Sequence, residues 1–122
     1  DRGIFKLQSQ TIEKIAEQGS AIIVGRCADY ILRDHKNTLN VFLTSPLEVR
    51  AERIASRQGM SLEDAKAKAQ EKDKKREEYY NYYTFGNWGV ASTYDLCLDS
   101  SKLEIEGSAE FIIDFARRAG KL

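Results

Sequence analysis

The chain has 122 residues, 42% hydrophobic and 31% charged, which suits one packed domain with a well-solvated surface. Its 19 Lys and Arg balance its 19 Asp and Glu, so charge gives no general reason to expect nucleic acid or an anionic membrane as a partner. No apolar run approaches the roughly 20 residues that a membrane-spanning helix needs.

Helical and strand-like patterns alternate along the first half of the chain. Residues 9–18 carry apolar side chains at helical spacing, and Gly19 suits the position just past a helix end. The run 21–24, Ala-Ile-Ile-Val, is apolar on both faces, which is typical of a buried parallel strand. Residues 27–33 are predicted as a short helix, and residues 39–43 as the second strand.

Helix starts are marked most clearly in the middle of the chain. Ser45, Pro46 and Glu48 form a predicted capping box, with the proline at the first helical position. Ser61 is the predicted cap of a long helix, and the stretch 61–84 is rich in Ala, Lys, Glu and Gln and contains no helix breaker before its end.

The last third of the chain completes an α/β pattern. Residues 85–93 contain two glycines and are predicted as a loop, residues 94–98 as the third strand, and a final helix begins near Ser108. Strands separated by helices predict a parallel sheet flanked by helices, with both faces covered. The range 1–122 is interpreted as a single domain.

Ligands of open α/β sheets bind beyond the carboxyl ends of the strands, and Arg26 directly follows the first predicted strand. A guanidinium there can hold a phosphate or carboxylate through two parallel hydrogen bonds. A salt bridge to Asp29 or Asp34 explains the same residue equally well, and the sequence leaves both interpretations open. The other two predicted strand ends fall at residues 44–45 and 99–100.

One face of the long helix carries a second group of polar side chains. Asp73, Arg76, Tyr80 and Tyr83 lie at positions i, i+3, i+7 and i+10. A carboxylate, a guanidinium and two phenols could bind a sugar hydroxyl, a phosphate and a ring. Spacing alone favours the simpler alternative, a solvated helix with local ion pairs and aromatics packed on the sheet.

Two neighbouring segments fit nucleotide binding but do not require it. Residues 50–76 carry nine Lys or Arg and five Asp or Glu, a local positive excess suited to covering phosphates or simply to a solvated surface. The aromatic residues between positions 79 and 88 could stack on a base. They could also fasten the following loop to the core, which is the alternative we favour.

The cysteines and the single histidine predict no metal site. Cys27 and Cys97 each lie in an apolar stretch, so we expect two buried free thiols in a reducing, cytoplasmic compartment, with a disulfide as the alternative. His35 has no second histidine or cysteine pair near it in the sequence. The sequence also contains neither a G-x-x-x-x-G-K-[ST] nor a G-x-G-x-x-G motif, so no loop of the usual kind is present to hold a triphosphate.

Four segments, in the right order and together spanning most of the chain, carry a resemblance to a known family. Residues 21–32, 41–53 and 94–99 resemble successive strand and helix segments of the cytidylate kinase-like proteins. Residues 73–80 resemble the segment at the mobile lid of these proteins, so the resemblance implies that the long helix at about 61–84 is lid-like. The resemblance implies a P-loop kinase-like fold that uses ATP and Mg²⁺ to phosphorylate CMP or a related nucleoside monophosphate. Catalysis of that kind depends mainly on positioning and charge neutralisation.

The resemblance also implies roles for individual residues. Arg26 would hold the acceptor phosphate, Asp73 would contact the acceptor sugar, and Arg76 would bind phosphate as the catalytic arginine. Cys27 stands where cytidylate kinases commonly have an aspartate that helps to read the substrate, so the identity of the acceptor stays open.

The resemblance covers only the C-terminal portion of such a fold. We therefore expect the chain to lack the N-terminal β-loop-α unit, to be inactive alone, and to associate with itself or with the missing segment. The alternatives are a non-catalytic nucleotide-binding or regulatory relative, and a kinase for another small acceptor.

Overall fold

The computed structural model describes residues 2–122. In chain order its elements are α1 (Arg2–Gln18), α2 (Ala28–Ile31), β1 (Val41–Thr44), α3 (Leu47–Gln58), α4 (Leu62–Thr84), a 3-10 turn (Ala91–Thr93), β2 (Leu96–Asp99) and α5 (Ser100–Arg118). The helices agree in number and approximate place with those predicted from the sequence, and α1 begins seven residues earlier than expected.

The sheet is small and parallel. Strands β1 and β2 pair in a register that sets Val41 opposite Leu96 and Thr44 opposite Asp99. Helices α3 and α4 form the connection between the two strands, and α5 packs against β2. The structure is thus an α/β arrangement with a parallel sheet, as the alternating sequence pattern predicted, but among the described residues the sheet has two strands instead of three.

The strand predicted at residues 21–24 is not formed, and this prediction was wrong. Ile22 is 96% exposed and Val24 is 87% exposed. Within the part of the chain that the structure describes, the sheet contains β1 and β2 alone, so residues 21–24 have no strand beside them. An apolar run favours burial, but an extended segment becomes a strand only through hydrogen bonds to a neighbour.

Helices α3 and α4 make the largest contact between two elements. Ala51, Ala65 and Ala69 are buried at 0%, 0% and 3% exposure, and such small side chains let helix backbones approach closely. Gly59 ends α3 in the left-handed conformation at φ 63°, which glycine adopts without strain. Ser61 caps α4 by accepting a hydrogen bond from the Asp64 backbone N–H at 3.1 Å, as predicted.

Two predicted helix starts were displaced. Pro46, in extended conformation, occupies the N-cap position of α3, so the Ser45 side chain makes no cap and its hydroxyl is buried without a hydrogen-bond partner. Helix α5 begins at Ser100 rather than near Ser108, because the Asp99 carboxylate accepts from the Ser101 backbone N–H. Glu104, at φ 59°, then breaks α5 into two helical segments.

Both cysteines are free thiols, and no disulfide joins them. Cys27 is buried, whereas Cys97 is exposed, so the prediction of two buried thiols was wrong for Cys97. Its strand, β2, pairs with β1 alone among residues 2–122, and the prediction that both faces of the sheet are covered was therefore wrong at Cys97 and at Leu43, which is 54% exposed. Across residues 2–122, no helix combines the length and the apolar character needed to cross a membrane.

Candidate functional site

A wide cleft of about 1550 Å³ separates residues 20–28 from β1. One wall is the unpaired apolar segment that contains Ile22, and the other is the edge of β1 that does not face β2. Helix α4 contributes its middle portion to the cleft, including Arg76 and Tyr80. The cleft includes the end of the first predicted strand, at Gly25 and Arg26, but not the second predicted strand end at residues 44–45.

Arg26 lines this cleft from a sharply wound turn. Gly25, Arg26 and Cys27 are consecutive residues in the left-handed region, at φ 70°, 56° and 59°, and the Ala28 backbone N–H closes the turn on the Gly25 carbonyl at 3.1 Å. Two non-glycine residues in that region cost conformational energy, and strain of this kind concentrates at functional sites.

The Arg26 side chain is exposed and has no carboxylate within ion-pair distance among residues 2–122. The predicted alternative, a salt bridge to Asp29 or Asp34, is not formed. The Asp29 carboxylate accepts hydrogen bonds from the Tyr30 backbone N–H and from the Tyr80 hydroxyl, each at 2.8 Å. Arg26 thus lines the cleft without an ion-pair partner among the described residues.

The polar face of α4 divides between the cleft and local contacts. Arg76 lines the cleft and its Nη1 donates to Asp73 Oδ1 at 2.8 Å, one of the local ion pairs expected for a solvated helix. Asp73 itself is not among the residues that line the cleft. Tyr83 stacks on Phe5 of α1, with ring centroids 4.3 Å apart. The structure therefore brings Arg26 and Arg76 to one cleft, with Asp73 behind Arg76.

Sequence reasoning did not find Arg50, which holds Asp73 from α3. Arg50 Nη1 lies 2.5 Å from Asp73 Oδ2, and Arg50 Nε donates to the Ser45 carbonyl at 3.0 Å. These bonds fix the carboxylate between two arginines and tie α4 to the carboxyl end of β1. Because Arg50 and Asp73 lie 23 residues apart, no local spacing could have paired them.

Burial raises the pKa values of two side chains beside the cleft that are already neutral near pH 7. Burial, with a smaller contribution from the Asp29 charge, raises the pKa of the Cys27 thiol to about 11, so this group is neutral at physiological pH. Burial also raises the pKa of the Tyr80 phenol, and the hydrogen bond to Asp29 adds to that shift. Neither side chain can therefore supply a negative charge to oppose Arg26 near pH 7.

The aromatic residues predicted as one cluster separate into two groups. Phe42 of β1 contacts Trp88 and Tyr94, with ring centroids 5.3 and 4.9 Å away, so the loop after α4 is fastened to the sheet. Tyr79 and Tyr83 lie 4.9 Å apart and belong to the contact with α1. The Trp88 contact fits the favoured alternative, in which the aromatics fasten the loop to the core, whereas Phe85 of the same loop is 89% exposed.

The other predicted strand ends play structural roles. Asp99 caps α5, and its hydrogen bonds from the Ser101 side chain and backbone lower the pKa of its carboxyl group. Ser45 is buried beneath the start of α3. Neither residue lines the cleft.

The described residues do not fit a magnesium site of their own. In the range 2–122, no three His, Cys, Asp or Glu side chains come close enough together to hold a metal ion. The sequence also has no Gly-rich phosphate loop of the usual form, so neither ATP nor Mg²⁺ can be assigned to named side chains.

Comparison with known proteins shows which family shares this arrangement. The chain is 38% identical over 95 residues to a cytidylate kinase of Methanopyrus kandleri, matching 71% of this chain and 49% of that protein. It is 37% identical over 93 residues to a cytidylate kinase of Pyrococcus horikoshii, matching 75% of this chain and 47% of the relative. The chain thus spans about half the length of the curated relatives it matches.

A solved structure has a closely similar fold. The crystal structure of an uncharacterized protein from Eubacterium ventriosum superimposes with a TM-score of 0.84 at 30% sequence identity, covering 94% of this chain and 65% of that one. The sequence model of the cytidylate kinase-like family matches residues 1–102. With most of its length matched by that model, the chain belongs to the cytidylate kinase-like family.

Proposed function

We propose that residues 1–122 form the acceptor-binding part of a phosphotransferase that moves a phosphoryl group from ATP to CMP or a related nucleoside monophosphate. The observation that carries this proposal is Arg26, an unpaired cation in the cleft that Arg76 also lines. Two guanidinium groups converging on one cleft suit the phosphate of an acceptor nucleotide.

The arginines have distinct environments and, in this proposal, distinct roles. Arg26 binds the acceptor phosphate, because it has no carboxylate to compete with the ligand among the described residues. Arg76 is the catalytic arginine that touches phosphate, and Asp73, held by Arg50 and Arg76, contacts the acceptor sugar. Lys75 also lines the cleft, but its Nζ pairs with Glu71 at 3.0 Å.

The activity belongs to the whole protein in this proposal. A P-loop kinase-like fold in the intact protein supplies the ATP and Mg²⁺ site, and residues 1–122 alone do not catalyse phosphoryl transfer. A coupled ATP-consumption assay with purified residues 1–122 and CMP tests this statement, and turnover of ATP in that assay would contradict it. The wide cleft between residues 20–28 and β1 leaves room for a further segment, from the same protein or from a second copy.

A kinase for another small acceptor is the second candidate, and Cys27 favours it. The thiol is buried and neutral, so it cannot accept hydrogen bonds from a base as a carboxylate would. Profiling acceptors other than CMP with the complete natural polypeptide distinguishes the two candidates. A non-catalytic, regulatory relative would bind CMP without consuming ATP.

The experiment that tests the proposal compares Arg26→Lys with wild type in the complete natural polypeptide. Losing one bidentate charge-assisted contact costs on the order of 1.5–3 kcal/mol, so kcat/KM for the acceptor should fall roughly ten- to a hundredfold. The melting temperature should not change, because the side chain is exposed. Arg57→Lys, at an exposed arginine of α3, is the matched control and should leave kinetics unaltered. Unchanged kinetics with a lowered melting temperature would remove Arg26 from the site.

A further inference from the structure

Tyr80 connects α4 to the turn that carries Arg26. It is 8% exposed, and its hydroxyl donates to Asp29 Oδ2 at 2.8 Å across a separation of 51 residues. The other carboxylate oxygen of Asp29 accepts from the Tyr30 backbone N–H at 2.8 Å, which fixes the carboxylate at the start of α2. Among the hydrogen bonds of residues 2–122, the bond from the Tyr80 hydroxyl to Asp29 is the side-chain bond that joins α2 to α4.

Besides the bond from Tyr80, the turn beside Asp29 is held by the buried Cys27 side chain and by the packing of α1 against α2. Helix α2 is only four residues long, and residues 20–24 before the turn have no strand partner in the described chain. Arg26 lies three residues before Asp29, within the strained left-handed turn. A strained turn persists only where its surroundings hold it, so the bond from Tyr80 has a large share in fixing where Arg26 stands.

The same helix carries the second arginine of the cleft. Arg76 and Tyr80 are four residues apart on α4 and therefore lie on the same face, one turn from each other. A bond that anchors the Arg26 turn to Tyr80 thereby sets the separation of the two guanidinium groups. A phosphate held by both groups depends on that separation, since misplacement by about 1 Å can cost a large factor in binding or rate.

We propose that Tyr80, acting through Asp29, is a positioning residue that holds Arg26 at the correct distance from Arg76 for an acceptor phosphate. This inference rests on the proposed function of the cleft. Tyr80 does not touch the ligand itself, and its hydroxyl remains the donor to Asp29 throughout.

A double-mutant cycle on the complete natural polypeptide tests the inference, with CMP as the probe and calorimetry as the measurement. Tyr80→Phe removes only the hydroxyl, and the dissociation constant for CMP should rise about tenfold. In an Arg26→Lys background the same change should have little further effect, because the group being positioned is already altered. Tyr82→Phe, at a tyrosine 65% exposed on the same helix, is the matched control and should bind CMP like wild type.

Asp29→Asn provides a second variant in case Tyr80→Phe does not fold. The amide still accepts a hydrogen bond but without charge, so the dissociation constant should rise by less than with Tyr80→Phe, again with no added effect in Arg26→Lys. Equal losses from Tyr80→Phe in both backgrounds would assign Tyr80 a purely structural role and overturn the inference, as would unchanged CMP binding. If Arg26→Lys alone leaves CMP binding intact, the proposed function fails, and the inference with it.

Discussion

The α3–α4 pair and the segment 20–27 both rely on small and apolar side chains, yet they reach opposite states. Ala51 and Ala65 in the helix pair are completely buried, whereas Ile22 is 96% exposed. The helix pair has a glycine ending α3 and a serine cap starting α4. The segment 20–27 forms no strand and ends in three successive left-handed residues.

The difference shows which structures depend on local sequence and which depend on a neighbour. A helix satisfies its backbone hydrogen bonds internally, so caps and periodic alanines suffice to define α3 and α4. A strand satisfies them only through another strand, and none stands beside residues 21–24 among those described. Arg26 therefore occupies the part of the molecule whose shape depends most on tertiary contacts.

The first prediction tests how firmly the turn at Cys27 is closed. Burial raises the pKa of this thiol from 9.0 to about 11, which lowers its thiolate fraction at pH 8 roughly a hundredfold relative to the unfolded chain. In a Cys97→Ser variant, Cys27 should react with a disulfide reagent about a hundredfold more slowly in buffer than in urea. Stability should also fall as pH rises from 9 towards 11, because the unfolded thiol ionises first.

The exposed thiol supplies the control for that measurement. In a Cys27→Ser variant, Cys97 is already accessible in the folded chain, so its rate should differ little between buffer and urea. Equal rates for Cys27 in the two conditions would mean that the turn opens freely in solution.

The second prediction concerns the well-packed region. Ala65 is fully buried between α3 and α4, so Ala65→Leu forces extra methyl groups into a closed contact and should lower the free energy of unfolding by about 1–3 kcal/mol. Ala67→Leu adds the same side chain at an exposed position of the same helix and should change stability by less than about 0.5 kcal/mol. Urea denaturation measures both, and equal losses would contradict the packing described for α3 and α4.

The elements that the sequence predicted well are those with signals inside their own boundaries. The long helix expected at 61–84 is found at Leu62–Thr84, with Ser61 as its cap. The capping box at Ser45 failed because Pro46 took the cap position, a shift of one residue that spacing cannot resolve. The strand at 21–24 failed for a larger reason, since its formation depends on a partner that a local pattern does not contain.

The candidate site likewise contains residues that a local sequence pattern predicted and contacts that it could not predict. Arg26 follows from the rule for strand ends, although the strand before it is not formed, and the Asp73–Arg76 pair follows from helical spacing. Arg50 and the Asp29–Tyr80 bond could not be predicted, because their partners lie 23 and 51 residues away in sequence. Both contacts have one partner on α4, so they depend on how α4 packs against α3 and α2 in the folded chain.

The last prediction has the smallest effect on stability and concerns the exposed segment. Ile22 and Val24 are exposed beside a cleft whose far wall is the free edge of β1, and such surfaces favour association. We expect residues 1–122 to self-associate at micromolar concentration, and Ile22→Ser to reduce that association. The free energy of unfolding should change by less than about 0.5 kcal/mol, because Ile22 makes almost no buried contact.

Sedimentation and light scattering, combined with urea denaturation at low protein concentration, separate these two effects. Ile105→Ser is the matched control, because Ile105 is 75% exposed on α5 and lies away from the cleft, so it should leave association unchanged. A wild-type chain that stays monomeric at micromolar concentration would contradict the prediction. A large loss of stability in Ile22→Ser would show instead that residues 20–24 are packed in solution, against a strand or within a pair of chains, and the contrast with α3 and α4 would then disappear.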